Sequence, residues 1–203
     1  MNYKIALIRG DGIGPEVVGE AVKVMDAIGA KFGHTFEYVD VLMGGCAIDA
    51  VGKSYPEGTA EKCKECDAVL LGAVGGPKWG HSTDPDKRPE TALLSIRKDL
   101  GLYANLRPAA LRPALADACP LKKETADRGI DLMIVRELTG GIYFGKRERY
   151  TTEDRGEEAA DRMAYSEKEI ERIGRRAFEL ARLRNKKLAS VDKANVLETS
   201  RLW

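Results

Sequence analysis

The chain has 203 residues, enough for one large domain or two small ones. Apolar residues make up 43% and charged residues 32%, an ordinary globular balance that can bury a core. A formal net charge of +1 supplies no broad field for nucleic acid or an anionic membrane, and no apolar run approaches the roughly 18 residues of a membrane span.

Residues 3–8 form a short apolar run rich in β-formers, which predicts a buried strand. This run starts so close to the N-terminus that a signal peptide is not expected, and a cytoplasmic protein is. Gly10-Asp11-Gly12-Ile13-Gly14-Pro15 follows, and a helical pattern then continues to about Gly29, with Pro15 in the first turn where a helix accepts it. Residues 35–42 predict a second strand, 44–58 a Gly-rich polar loop, 57–65 a short helix and 67–71 a third strand. This β-α-β-α-β order predicts a parallel sheet with helices on its faces. Residues 72–90, dense in Gly, Pro and Asp, read as a long loop of the kind that is functional or disordered.

A helix over 91–99, an extended segment over 102–111 and a buried strand over 131–135 come next. GGIYFG, residues 140–145, begins a turn and a further strand. Residues 150–163 are polar and acidic without clear periodicity, as in an exposed arm or loop. Residues 166–184 predict a charged amphipathic helix, with Ser166 as N-cap and Glu169 as its capping-box partner. A short strand over 188–191 and a helix from Asn195 complete the pattern. The helical pattern at Leu197 to Arg201 lacks a C-cap, so the chain reads as incomplete at its C-terminus.

Several residues could carry chemistry. The Gly10–Pro15 turn suits a phosphate loop, but its spacing is not G-x-G-x-x-G, and a tight βα turn explains it equally. Arg97, Arg107 and Arg136 stand on a helix, an extended segment and a strand end, positions apt for gripping carboxylates or for plain surface ion pairing. Tyr143 follows two glycines, and Lys193 sits just past the end of the predicted strand 188–191. Together they could relay a proton, or they could be a core-edge tyrosine and a solvated lysine. Cys63 and Cys66 form a C-x-x-C, but Cys46, Cys119, His34 and His81 supply neither a second pair nor a histidine cluster. They read as structural thiols in a reducing compartment, with no metal ligand assigned.

Taken in order, GDGIGPEV, LGAVGGPKW, RPETALLSIRKDLGLYANLRP, VRELTGGIYFGKR and VDKANVLETSRLW are similar to the 3-isopropylmalate dehydrogenase family across essentially all of the chain. The resemblance implies an isopropylmalate/isocitrate dehydrogenase-like α/β fold, with a parallel-rich sheet flanked by helices in a first, cofactor-side domain over 1–101. A second, partial α/β domain over 102–203 would carry substrate and dimer contacts. It implies NAD-dependent oxidative decarboxylation of 3-isopropylmalate to 2-oxoisocaproate in leucine biosynthesis. Arg97, Arg107 and Arg136 would hold the malate carboxylates, with Glu90, Leu93 and Leu94 recognising the isopropyl side. Tyr143 and Lys193 would be the acid–base pair. Residues 77–90, among them Pro77, Lys78, Trp79 and Glu90, would line the NAD site, with Ile13 and Asn195 near the nicotinamide.

The family's Mg2+ or Mn2+ is held by aspartates that the resemblance places beyond Trp203, together with the adenosine loop and most of the helices of a homodimer. The chain by itself is then expected to be inactive. A related enzyme acting on isocitrate, homoisocitrate or tartrate, and a non-catalytic truncated or split-enzyme half, are the other readings.

Overall fold

A computed structural model describes residues 1–80 and 82–203. His81, inside the stretch expected to line the cofactor, lies outside the described residues. The chain divides into two compact units, Met1–Gly101 and Leu102–Trp203.

The first unit is built on strand β1 (Asn2–Gly10), which pairs in parallel with β2 (Thr35–Asp40) on one side and β3 (Ala68–Ala73) on the other. Alternate β1 side chains point to opposite faces. Ile5 and Leu7 pack with Val18 beneath helix α1 (Gly14–Phe32), joined by Val22, Met25 and Phe36. Ala6 and Ile8 face the other way, into a cluster with Val41, Met43, Ala60, Cys63, Ala92 and Ile96. Burial on both faces is why β1 reads as a continuous apolar run rather than an alternating one. Each fully buried Leu or Ile contributes roughly 1.5–3 kcal/mol relative to an exposed one.

Pro15 occupies the first turn of α1, and Gly33, at φ 72°, closes the helix by donating its N–H to the Gly29 carbonyl at 2.9 Å. Two shorter helices follow, α2 (Gly45–Val51) and α3 (Thr59–Lys64), and then α4 (Pro89–Asp99). Cys63 is buried and Cys66 packs against the same cluster, and all four cysteines are free thiols, which fits their structural reading.

In the second unit, β4 (Ala104–Ala110) pairs with β5 (Asp131–Glu137), and β6 (Arg147–Thr152) with β7 (Gly156–Asp161). Both ladders are antiparallel, so the parallel pairing expected of the sheet is confined to the first unit. The one-turn helix α5 (Lys123–Ala126) lies between β4 and β5. Helix α6 (Glu167–Leu183) packs on β5 and starts with the expected capping box. Ser166 Oγ accepts from the Glu169 N–H at 3.4 Å, and the Ser166 N–H donates to Glu169 Oε2 at 2.7 Å. Helix α7 (Glu198–Leu202) ends the unit.

Four local expectations are corrected. Residues 45–51, read as loop, are helix α2, whose N-cap Gly44 has no capping side chain and whose first N–H groups are satisfied from a distant part of the chain. The arm expected over 150–163 is mostly the β6–β7 hairpin. Its strands are almost wholly exposed, so no apolar alternation announces them, and ion pairs such as Arg149–Glu157 at 2.8 Å line the ladder. Residues 188–191 are irregular rather than a strand, with Leu188 and Val191 exposed, because no neighbouring strand pairs with them among the described residues. The last helix begins at Glu198, since residues 193–197 are occupied by a turn in which Val196 and Leu197 donate to the Lys193 carbonyl, both at 3.0 Å.

Candidate functional site

In the first unit, the sequence between β1 and α1 makes a hub rather than a simple turn. Asp11 is only 3% exposed. Its carboxylate accepts from the N–H groups of Gly45 and Cys46 at 2.7 Å each and of Gly75 at 2.8 Å, while its own N–H donates to the Ala73 carbonyl at 2.7 Å. A buried carboxylate is tolerated when several donors face it. Asp11 thus fastens the start of α2 and the exit of β3 to the carboxyl end of β1, the edge where α/β sheets take ligands. Next to it, Gly12 is exposed with open space around it, and Ile13 is 62% exposed.

The segment after β3 lies on this hub. A Cβ on Gly75 would stand 2.6 Å from Glu90 Oε1, so the glycine lets the Glu90 carboxylate come close to the backbone. The Trp79 ring lies over Gly45, where a Cβ would be 2.5 Å from the ring. Trp79 Nε1 donates to Asp49 Oδ1 at 3.2 Å, and Lys78 Nζ meets Asp49 Oδ2 at 2.6 Å while standing 5.2 Å from the Trp79 ring centre. Lys78, and after it Trp79, hold the Asp49 carboxyl below the usual carboxylate range. Pro77 is exposed beside them.

On α4, Glu90, Leu94 and Arg97 fall at i, i+4 and i+7, one face of the helix. Glu90 is exposed, whereas Leu94 and Arg97 are half-buried. Leu93 also packs against the core cluster of Met43 and Ala92, so part of its apolar surface serves the fold.

In the second unit, the β4–β5 register sets Arg107 opposite Ile134 and Asn105 opposite Arg136. Arg107 and Arg136 therefore share one face as diagonal neighbours, a separation that long side chains can span. Arg107 Nε donates to Asn105 Oδ1 at 3.0 Å. The Arg136 guanidinium stands 5.5 Å from the centre of the Tyr143 ring, and Tyr143 is 55% exposed. This places a planar cation beside a phenol on an accessible surface, able to hold a carboxylate next to a proton donor.

Lys193 and Asn195 are both exposed, in the turn that precedes α7. The Lys193 N–H donates to Ser200 Oγ at 3.0 Å. Among the described residues, no hydrogen bond or ring contact joins Lys193 to Tyr143. The proposed acid–base pair is not assembled within this unit.

Glu137 explains how the Arg136–Tyr143 pair is held, and the sequence reading missed it. It follows Arg136 directly and is 7% exposed. Its carboxylate accepts from the Thr139 N–H at 2.9 Å, Thr139 Oγ1 at 2.9 Å, the Gly140 N–H at 2.7 Å and Arg172 Nη2 of α6 at 2.9 Å. Arg172 in turn stands 5.2 Å from the Tyr103 ring centre. These contacts turn the chain sharply from β5 towards Tyr143. Gly140 and Gly141 make the turn possible, because a Cβ on either would run into the Tyr165 ring or hydroxyl. The only sequence signal was an acidic residue closing an apolar strand. Asp11 gave a similar one, and Asp49 gave none.

Burial raises the Glu137 carboxyl, but the N–H groups of Gly140 and Thr139, the Thr139 hydroxyl and Arg172 outweigh it and leave it below the ordinary glutamate range. A carboxyl whose folded value is depressed stabilises the fold above its unfolded value of about 4.3, and that contribution is lost as pH falls through the folded value. Glu137→Gln should cost about 1–2 kcal/mol at neutral pH and flatten the loss of stability below about pH 4. Thermal midpoints measured against pH check this, and an acid limb as steep as in the unmutated protein would refute it.

No group of three or more His, Cys, Asp or Glu among the described residues could hold a metal ion. No helix among them is long and apolar enough to cross a membrane.

Comparison with known proteins places this arrangement. The chain is 59% identical over 202 residues to 3-isopropylmalate dehydrogenase of Moorella thermoacetica, covering 99% of this chain and 56% of that protein. It is 54% identical over 203 residues to 3-isopropylmalate dehydrogenase of Nitratidesulfovibrio vulgaris, covering 100% of this chain and 57% of that one. It thus spans little more than half the length of these curated relatives. Among solved structures, isocitrate dehydrogenase of Methylococcus capsulatus superimposes with a TM-score of 0.76 at 30% identity, covering 98% of this chain and 54% of that one. A beta-decarboxylating dehydrogenase of Thermococcus kodakarensis gives 0.66 at 34% identity, covering 98% and 51%. The model of the isocitrate/isopropylmalate dehydrogenase family matches residues 4–203, and the chain belongs to that family.

Proposed function

We propose that this chain, within an enzyme of its relatives' length, serves the NAD-dependent oxidative decarboxylation of 3-isopropylmalate to 2-oxoisocaproate, a step of leucine biosynthesis. The names of the relatives support the reaction. The observation that carries the substrate is the α4 face, where a carboxylate, a half-buried leucine and a guanidinium stand in line at Glu90, Leu94 and Arg97. A branched alkyl group needs an apolar wall at the place where isocitrate would need a polar partner for its third carboxylate.

In this reading Arg97, Arg107 and Arg136 hold the malate carboxylates, and Leu93 and Leu94 exclude water from the isopropyl group. Ile13, Pro77, Lys78, Trp79, Glu90 and Asn195 form the cofactor side. The open glycine at Gly12 and the exposed Ile13 at the carboxyl edge of β1 suit a dinucleotide, which accepts the hydride from C2 when bound. Lys193 takes the hydroxyl proton, and Tyr143 returns a proton to the carbon from which CO2 has left. The family's Mg2+ or Mn2+ has no ligand set among the described residues, and no step is drawn through it. The enzyme is read as a cytoplasmic homodimer that acts on a small molecule and binds neither nucleic acid nor membrane.

The test is formation of reduced nicotinamide, followed by absorbance, with isopropylmalate or isocitrate as substrate and a divalent ion present. An enzyme of the relatives' length that contains this chain should turn over isopropylmalate, and the 203-residue chain alone should not. Leu94→Ser should shift the ratio of kcat/KM for isopropylmalate over isocitrate by roughly tenfold towards isocitrate. Leu93→Ser should shift it less and also lower the melting temperature, because Leu93 packs on the core. A ratio unmoved by Leu94→Ser favours the second reading, a related decarboxylating dehydrogenase, which the isocitrate dehydrogenase neighbour motivates. Turnover by the chain alone would exclude the expectation that it is inactive.

A further inference from the structure

The segment from Gly75 to Trp79 is fastened at two points of different character. At its start, the Gly75 N–H is held by the Asp11 carboxylate, deep in the hub. At its end, Lys78 and Trp79 are held by Asp49, in an ion pair whose side chains are 65% and 45% exposed. Between the two anchors the Trp79 ring rests on Gly45, where no other residue leaves room for it.

Asp49 stands on a platform that is itself immobilised. Helix α2 is tied at its N-terminus by Asp11 and through the Gly44 N–H, which donates to the Ser54 carbonyl at 2.8 Å. Met43 and Ala47 are fully buried, and Gly52 closes the helix in the left-handed region at φ 80°. Asp49 therefore projects from an anchored helix, and its carboxylate meets the cation and the indole together. Asp49 is the side chain that bonds both of them, the Lys78 ammonium and the Trp79 Nε1–H. The lysine is on a flexible stem, and the loop that carries it has three glycines among Gly75, Gly76 and Gly80.

We propose that Asp49 is a positioning residue for the dinucleotide, setting its affinity by holding Lys78 and Trp79 in a binding-ready arrangement. This rests on the reading of Lys78 and Trp79 as cofactor-side residues. A loop ordered beforehand loses less freedom when the ligand arrives, so the latch acts on dinucleotide affinity and not on the reacting groups of the second substrate. The downstream anchor is exposed and ionic, hence weakened by salt, whereas the buried Asp11 anchor is not.

The experiment uses an enzyme of the relatives' length that contains this chain and measures KM for NAD, KM for isopropylmalate and kcat. Asp49→Ala should raise KM for NAD about fivefold to tenfold, with a much smaller change in kcat and in KM for isopropylmalate. Gly45→Ala, which pushes the Trp79 ring away while leaving Asp49 in place, should do the same. The double variant should be no worse than either single one, because both release one element. Asp49→Asn keeps an acceptor for the Trp79 N–H but loses the charge facing Lys78. It should fall between the unmutated protein and Asp49→Ala and abolish the rise in KM for NAD that about 1 M salt causes in the unmutated protein. Circular dichroism and melting temperature show whether each variant is folded, and Asp49→Asn keeps the test open if Asp49→Ala is not.

An unchanged or lowered KM for NAD in Asp49→Asn and Asp49→Ala overturns the latch, as does an equal loss in all three constants. If the unmutated protein shows no NAD-dependent turnover of any malate, the cofactor reading falls first and the latch with it. The two failures are therefore told apart by the unmutated enzyme.

Discussion

Tyr143→Phe should lower kcat by roughly 100- to 10,000-fold while changing KM for NAD by about twofold or less. The geometry makes this substitution unusually clean. Arg136 lies over the Tyr143 ring, and a phenylalanine offers the same face to the guanidinium. Arg147 donates to the Tyr143 backbone carbonyl at 2.9 Å, a contact that any side chain leaves intact. The Glu137-centred turn that carries the residue does not involve the phenol. Only the hydroxyl is removed, and with it the proton that, in the proposed reaction, Tyr143 gives to the enolate carbon after CO2 departs.

The position of that proton in the sequence of events gives the measurement. In the proposed reaction hydride transfer precedes decarboxylation, so a single turnover of Tyr143→Phe should still produce one equivalent of reduced nicotinamide quickly, with the 2-oxo acid following slowly. Tyr143→Ala should lose more, because Arg136 is then released as well and KM for the malate rises. If Tyr143→Phe turns over at the unmutated rate, Tyr143 is a surface residue beside an arginine, and the proton comes from elsewhere.

What could be read from the sequence divides along a physical line. Strand β1, helix α1 and helix α6 were legible because each carries its own signal: an unbroken apolar run buried on both faces, a first-turn proline, a Ser166–Glu169 capping box. Helix α2 was not, because its N-terminal donors are met by Asp11, 34 and 35 residues away, and no local pattern records that bond. The β6–β7 hairpin was missed for the opposite reason. Its stability comes from the ladder and from exposed ion pairs, so it buries too little apolar surface to show a period.

The candidate site follows the same rule. Arg107 and Arg136 could be named from their residue type and the family resemblance, but only the β4–β5 register puts them on one face. Asp11, Asp49 and Glu137 act by satisfying backbone or side-chain donors brought to them by the fold. A carboxylate with that task looks, in sequence, like any other acidic residue.

Gly10→Ala should destabilise the first unit by roughly 3 kcal/mol or more, enough to lower the melting temperature by about 6–12 °C. Gly10 has φ 70°, and a Cβ built there would overlap the Ala73 carbonyl oxygen and lie 2.9 Å from the Ala73 carbonyl carbon. Both atoms are backbone, so no side-chain rotation relieves the clash. Gly10 and Ala73 are paired residues of β1 and β3, and the same carbonyl accepts the Asp11 N–H at 2.7 Å. Room for a methyl group can be made only by parting the two strand ends, which pulls Asp11 away from Gly75. The substitution should therefore disturb the hub as well as the sheet.

Two other glycines separate the contributions. Gly12 has φ 56° but nothing within 4 Å, so Gly12→Ala should cost only the left-handed backbone penalty, about 1–2 kcal/mol. Gly19 lies inside α1 with open space around it and without a positive φ, so Gly19→Ala should stabilise by about 0.5–1 kcal/mol. Melting curves of the three variants should fall in the order Gly19→Ala, unmutated, Gly12→Ala, Gly10→Ala. Equal midpoints for Gly10→Ala and Gly12→Ala would mean that the strand ends yield freely. The close approach of β1 to β3 at Ala73 would then not be what fixes the hub.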